Sequence, residues 1–499
     1  MADGTQDPVA DEPGTKALDL DSRTPLSDIA PFLEKLQGNI LKGHGREFGV
    51  YIFFSFGDDM GAVRRQLAEL AGRYVTSARR QHQEAADFGA FKVPGGLFGN
   101  LLLTASGYRR LGLDPDALFP EAPETIANTQ SSFAAGMRAT AVDDFADPPV
   151  DSWDPGYRKD IDAMLLLADD DEGYLLREAR RAMTEIGVHN AVRVAERGNA
   201  LRNEDGEGIE HFGYVDGRSQ PLYLKSDFVF DAAGNRVGEA GGGEIDRWDP
   251  FEPLKRVLVP DPGASGEPGC FGSFLVFRKL EQDVLHFKMR EEELADALDF
   301  AGEERERAGA IVVGRFEDGT PVTLSKTDGF RPAKENDFNY SQDADGARCP
   351  FHAHIRKTNP RGDIPREIEG TTDEEERSRR ITRRGMPFGK RNKHPNESQA
   401  ISELPSGGVG LLFMCFQASI RAQFAFMQRA WCNNAGFVRP GTGIDPVVGQ
   451  PSSPPAAEPS WSPEYGKPPH TPFRFENFVK MKGGEFFFAP SIPFLQKLA

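Results

Sequence analysis

The order of elements predicts an α+β protein: two ferredoxin-like domains, each an antiparallel sheet with peripheral helices. Three observations predict it. The chain has 499 residues, whereas single cores rarely grow past roughly 250–300. Strand and helix patterns follow the order strand–helix–strand–strand–helix–strand, and that order starts again after a Gly- and Pro-rich seam. The composition includes 37 Phe against 9 Tyr and 4 Trp, enough for large apolar interiors.

Residues 1–25 are acidic and rich in Gly and Pro, so they read as a disordered tail. The first domain is expected over 26–225. Val50 to Phe56 is aromatic and β-branched enough for a strand. Met60, Val63, Leu67 and Leu70 then recur at helical spacing. Leu101 to Thr104 and Ala163 to Ala168 are further strands, the latter closed by the turn Asp169-Asp170-Asp171. The next helix is expected to bury Leu176, Ala179, Met183 and Ile186.

Residues 226–265 are dense in Gly, Asp and Pro, as at Gly241 to Gly243 and Asp261-Pro262-Gly263. They read as an irregular connecting segment or hairpin. The second domain is expected over 266–499. Ser273 to Phe277 is its first strand. Glu281 to Phe300 is helical, with Val284, Phe287 and Met289 in the core. Gly408 to Gln417 is a long strand, followed by a helix carrying Ile420, Phe424, Met427 and Trp431. Glu367 to Arg384 is crowded with charge and reads as an exposed loop leading into a strand. Pro451 to Pro469 reads as an irregular surface segment.

The formal charge of −18 argues against general affinity for nucleic acid or an anionic membrane. The longest apolar runs, Leu411 to Phe416 and Ala163 to Ala168, fall far short of the ~20 residues that span a bilayer. The N-terminus lacks the basic start and apolar stretch of a secretory signal, so a soluble, cytoplasmic protein is expected. Four cysteines (Cys270, Cys349, Cys415 and Cys432) are too sparse for a disulfide framework. Cys415, in an apolar run, reads as a buried thiol.

No pair among the nine histidines shows HExxH spacing. Cys349, His352 and His354 lack a fourth ligand nearby for tetrahedral zinc. Either histidine could instead be a single axial ligand, because a porphyrin supplies the other four donors. Arg356, Lys357 and Arg361 would suit its carboxylates, and they equally suit a solvated loop. Asp216 sits in a Gly-flanked turn, where Asp is ordinary turn chemistry.

Taken in order, the segments carry more. GYVDGRSQP, GSFLVFRKLEQDV, CPFHAHIRKTNPR, RRGMPFG, LLFMCFQ and GTGIDPVVGQ follow QGNILKGHGR near the start. Together they closely resemble dye-decolourising peroxidases, particularly the larger branch that includes the fungal enzymes, from about Leu36 to Ser491. The resemblance implies two ferredoxin-like domains, with haem b (iron protoporphyrin IX) held mainly by the second.

It further implies that His354, immediately before Ile-Arg-Lys, is the proximal ligand of the haem iron. Asp216 would be the distal acid and Arg383 the distal arginine. Arg361 would meet a propionate, and Leu411 and Phe413, two apart on one strand face, would line the distal side. Asp445 is the first choice for the acid holding His354, and Glu476 is the alternative. His352 takes no role.

The implied activity is oxidation of bulky organic donors, such as anthraquinone dyes and phenolics, by hydrogen peroxide through an oxoferryl species. A haem carrier without turnover is the alternative. The family often has Tyr after Met-Pro in RRGMPFG. Here it is Phe388, which lacks a hydroxyl proton, so that surface electron route is in doubt. Trp431 matches a family Trp, yet its spacing with Phe424 and Met427 also suits core packing.

Overall fold

The run Phe-Gly-Val-Tyr-Ile-Phe-Phe-Ser-Phe forms β1 (Phe48–Phe56), buried along all but its first residue. A strand this continuously apolar needs cover on both faces. One cover is α1 (Met60–Tyr74), which starts where the Asp59 side chain accepts the Ala62 amide at 3.0 Å. It buries Val63, Leu67 and Leu70, while Met60 is only partly covered. Next come β2 (Phe98–Leu103), β3 (Ala163–Asp169), α2 (Glu172–His189) and β4 (Asn190–Asn199). All neighbours are antiparallel in the spatial order β4-β1-β3-β2, which is the ferredoxin-like arrangement. The buried face of α2 centres on Leu175, Ala179, Ala182 and Ile186. Leu176 and Met183, expected at its centre, lie at its margin, because the helix begins at Glu172 and its first inward apolar residue is Leu175.

The same order recurs in the second half. It comprises β5 (Phe271–Gln282), α3 (Val284–Ala297), α4 (Glu306–Val313), α5 (His354–Thr358), β6 (Met386–Phe388) and β7 (Gly410–Gln417). Then come α6, wound largely as π-helix over Arg421–Ala425 and Met427–Cys432, and β8 (Val479–Ala489). The antiparallel order is β6-β7-β5-β8. Helix α3 starts at Val284 because Glu281 and Gln282 still pair with β8. Met289, expected in its core, is 42% exposed.

The two sheets join at both edges, Phe388 opposite Gly198 and Phe488 opposite Leu103. With β5 also paired to β7, the eight strands β1 to β8 close into one barrel. This computed structural model describes residues 23–120, 132–264, 267–329, 335–397, 399–451 and 458–499. The tail expected over 1–25 lies outside them except for residues 23–25.

Between the halves, Phe228–Phe230 and Arg236–Glu239 form a hairpin, and Val259–Pro260 pairs with the start of β5. The charged stretch Glu367 to Arg384 is not simply an exposed loop. Arg377 and Arg380 pack on the Trp248 ring, at 5.4 and 4.0 Å, and Glu376 is buried. Long arginine stems cover apolar surface, so charge density alone misplaces this segment. Within Pro451 to Pro469, Trp461 is wholly buried and pairs with Thr471.

Candidate functional site

A cavity of about 240 Å³ lies in the second half, between the face of β5 and β7, helices α5 and α6, and the loop 213–221. His354 opens α5 and lines one wall. Its Nδ1 lies 2.8 Å from Asp445 Oδ2. Asp445 is 0% exposed, and its Oδ1 accepts the amides of Val447 (2.8 Å) and Val448 (3.0 Å). Burial disfavours that charge, but His354 and the two amides outweigh it and hold the carboxyl below its usual range. An ionised carboxylate only accepts, so Nδ1 carries the proton and the Nε2 lone pair is left for the cavity. Burial lowers the His354 pKa, Asp445 raises it more, and it ends above its ordinary value.

Glu476 pairs instead with Arg474, at 3.1 Å. His352 is 3% exposed and sits edge-on to Trp461, with ring centres 4.2 Å apart. Burial pushes its pKa down to about 3, so it is a neutral packing residue.

Asp216 also lines the cavity, on a turn flanked by Gly213 (φ +104°) and Gly217 (φ +88°). Those left-handed angles favour glycine. The Gly217 amide donates to Asp216 Oδ1 at 2.6 Å. Arg383 sits on the short strand Thr382–Arg383, opposite Cys415 of β7. Its Nη1 donates to Asp216 Oδ1 at 2.5 Å, its Nη2 to the Arg218 carbonyl at 2.7 Å. Its amide donates to Gln220 Oε1 at 3.0 Å. Leu411 and Phe413 are half-buried and line the cavity, while Leu412 between them turns into the core.

A third feature is an excess of buried cations. Arg361, 3% exposed, donates Nη1 to the carbonyls of Asn336 (2.8 Å) and Phe338 (2.7 Å), and Nη2 to Asn336 Oδ1 (2.7 Å) and to Ser219 Oγ. Arg315 donates to the carbonyls of Gly319 (2.9 Å) and Glu335 (3.1 Å). Neither forms an ion pair among the described residues. Burial pushes Arg361 down to about 9, and Arg315 and Arg380 each to about 10. Arg218, paired with Glu207, leaves Nε and Nη1 buried without a hydrogen-bond partner among the described residues, and Arg380, paired with Glu252 at 2.6 Å, leaves Nε and Nη2 so. Such donors are costly unless an anion meets them.

The sequence-predicted residues His354, Asp445, Asp216, Arg383, Arg361, Leu411 and Phe413 thus come together around one cavity, with Asp445 directly behind His354. Sequence reasoning missed Arg218, Ser219, Arg315 and Arg380. The first two stand in the quoted GYVDGRSQP segment, so the signal was present. Arg380 was hidden in a stretch read as solvated. Arg315, in an ordinary Gly-Arg-Phe-Glu-Asp-Gly turn, offered none.

Comparison with known proteins identifies the family. The profile of the family described as Dyp-type peroxidase, C-terminal, matches residues 333–438. The chain is 42% identical over 478 residues to the multifunctional dye peroxidase DyP2 of Amycolatopsis sp. (strain ATCC 39116 / 75iv2), covering 94% of this chain and 97% of that one. It is 29% identical to the dye-decolorizing peroxidase msp1 of Mycetinis scorodonius, over 92% of this chain and 86% of that one. The crystal structure of an Anabaena sp. DyP-type peroxidase superposes with a TM-score of 0.85 at 39% identity, covering 97% and 99%. Among the described residues no helix is long and apolar enough to cross a membrane. The chain belongs to the dye-decolourising peroxidase family and is an enzyme of that kind.

Proposed function

We propose that the chain holds haem b in this cavity and uses hydrogen peroxide to oxidise bulky aromatic donors, with Asp216 and Arg383 as the working pair. One observation carries the reading: a proton-donating His354–Asp445 pair and an Asp216–Arg383 ion pair line the same cavity. The residues suit haem on two counts. His354 has Nδ1 tied down and Nε2 free to bind iron, the arrangement that fixes tautomer and raises ligand basicity. The unpartnered donors of Arg218 and Arg380, with the desolvated Arg361, suit propionate carboxylates.

When bound, haem supplies the redox chemistry, drawing oxidising equivalents from peroxide and passing them to organic donors in one-electron steps. The protein's part is proton and charge handling. Asp216, ionised, accepts the proton of the near peroxide oxygen and delivers it to the far one. Arg383 stabilises the negative charge developing on that departing oxygen. Its contacts to Asp216 and the Arg218 carbonyl hold the guanidinium in place for this, and the bond from its amide to Gln220 fixes its backbone. Leu411 and Phe413 keep the distal side apolar, which strengthens both interactions.

Phenolic and dye donors are the substrate class the relatives suggest; one solved relative is a dye-decolorizing peroxidase in complex with 2,6-dimethoxyphenol. Phe388 is 8% exposed and has no phenol to oxidise. Trp431 is 3% exposed, stacked on Phe437 with centres 5.2 Å apart. Neither is a surface relay here. Stopped-flow mixing with peroxide tests the roles. Asp216→Asn and Arg383→Leu are expected to keep haem while the oxidised enzyme forms about 10²–10⁴-fold more slowly. Wild-type protein that binds haem but shows no peroxide-dependent turnover would instead be a haem carrier.

A further inference from the structure

We infer that Lys357 is a positioning residue for the His354–Asp445 pair, acting as a second clamp on α5 and as the positive charge behind the acid. The inference rests on the reading above that His354 binds haem iron. His354 and Lys357 are three residues apart on the single helical turn of α5, so they share a face. Both reach the same segment of chain. His354 bonds Asp445, and Lys357 Nζ donates to the carbonyls of Asn434 (2.8 Å) and Phe437 (2.5 Å). That segment is folded back on itself, with the Asp445 amide donating to the Cys432 carbonyl at 2.8 Å and the Gly443 amide to Ala435 at 2.9 Å. Arg356 ties another face of this short helix to Asp343 and Asp363; on the His354 face, Lys357 adds a second tie to the segment that carries Asp445, which fixes the imidazole relative to the carboxylate.

Lys357 is 0% exposed, and among the described residues no carboxylate lies within ion-pair distance of it. Two carbonyls and the face of the Phe437 ring, 5.3 Å from Nζ, compensate a buried ammonium incompletely, and burial pushes its pKa down to about 8. Asp445 is the acid whose field reaches it, with the Cys432 thiol beside both. A cation there offsets the pull of Asp445 on the Nδ1 proton, and so limits how anionic the imidazole becomes. Less anionic imidazole favours ferrous over ferric iron.

Spectroelectrochemical titration of the haem-loaded full chain tests this with Lys357→Met, Lys357→Gln and Lys357→Arg. The glutamine keeps donors for the carbonyls without charge; the arginine keeps both. Methionine and glutamine are expected to shift the ferric–ferrous equilibrium at least tenfold toward ferric, about 59 mV for one electron. Arginine is expected to stay within about threefold of wild type, where each tenfold step is 59 mV. If methionine prevents haem loading, the glutamine result decides. A wild-type potential in glutamine, or a shift in arginine as large as in glutamine, overturns the inference. His354→Ala, titrated alongside, isolates the underlying reading. Native haem spectra in that variant would refute iron ligation by His354, whatever the Lys357 variants show.

Discussion

At Asp216 three effects compete. Burial disfavours the charge; the Arg383 guanidinium and the Gly217 amide favour it, and these two prevail, so the carboxyl lies below its ordinary range. As a base it must be ionised, and a lowered pKa means it takes up a proton only below the usual ~3.9. An imidazole in its place would be protonated below ~6.5. Dye oxidation should therefore remain fast at about pH 4 to 5, with an acidic optimum. A pH–rate profile peaking above neutrality would contradict this role. At this scale the sequence was informative where a residue's role travels with its neighbours: Asp216, His354 and Arg383 each sit inside a distinctive short segment. Arg315 was illegible because its position in the cavity is made by the fold, not by the residues beside it.

Helix α5 depends on a buried ionic knot. Arg356, 1% exposed, donates Nε to Asp363 (2.6 Å) and Nη1 to Asp343 (2.9 Å) and to the Cys349 carbonyl (2.5 Å). Arg356→Met would leave both acids buried without that partner, at a cost of about 3–5 kcal/mol. Chemical denaturation of the two proteins measures it, and an unchanged midpoint would show the knot to be dispensable. Helix α4 makes a second demand. It ends at Gly314 (φ +100°), where a Cβ would lie 2.3 Å from Ile355 Cγ1, next to His354. Gly314→Ala should cost roughly 1–2 kcal/mol from the left-handed backbone alone, and should also disturb the haem spectrum through Ile355. Element types were legible from periodicity, but phase was not. In α2 the buried stripe runs through Leu175, Ala179, Ala182 and Ile186, which leaves Leu176 and Met183 at its margin; in α3 the helix starts at Val284 rather than Glu281, and Met289 falls off the buried face. Trp461 shows the other failure: a Pro-rich stretch around it suggested surface, yet the indole donates to the Phe473 carbonyl at 2.8 Å from inside the core.

The whole molecule is more unified than two domains in series. Each half has its own ferredoxin-like sheet, yet Phe388–Gly198 and Phe488–Leu103 pairing merges the edges into one barrel. The halves share a continuous apolar core running from Ile29 to Leu498. Thermal unfolding followed by calorimetry should then show a single cooperative transition; two separated transitions would indicate independent halves. The order of elements revealed both units, but edge-to-edge closure involves pairs 190 and 385 residues apart and leaves no local pattern. The cavity itself draws mainly on the second half, with the loop 213–221 reaching in to supply Asp216.

The central claim is that one imidazole, fixed by Asp445, holds haem iron in the cavity that Asp216 also lines. It is tested most directly by absorption and resonance Raman spectra of haem-loaded wild type and His354→Ala. The account predicts a Soret band and an iron–imidazole stretch in wild type, with the stretch abolished and haem content sharply reduced in the variant. A variant that retained the native haem content and the same stretch would contradict it.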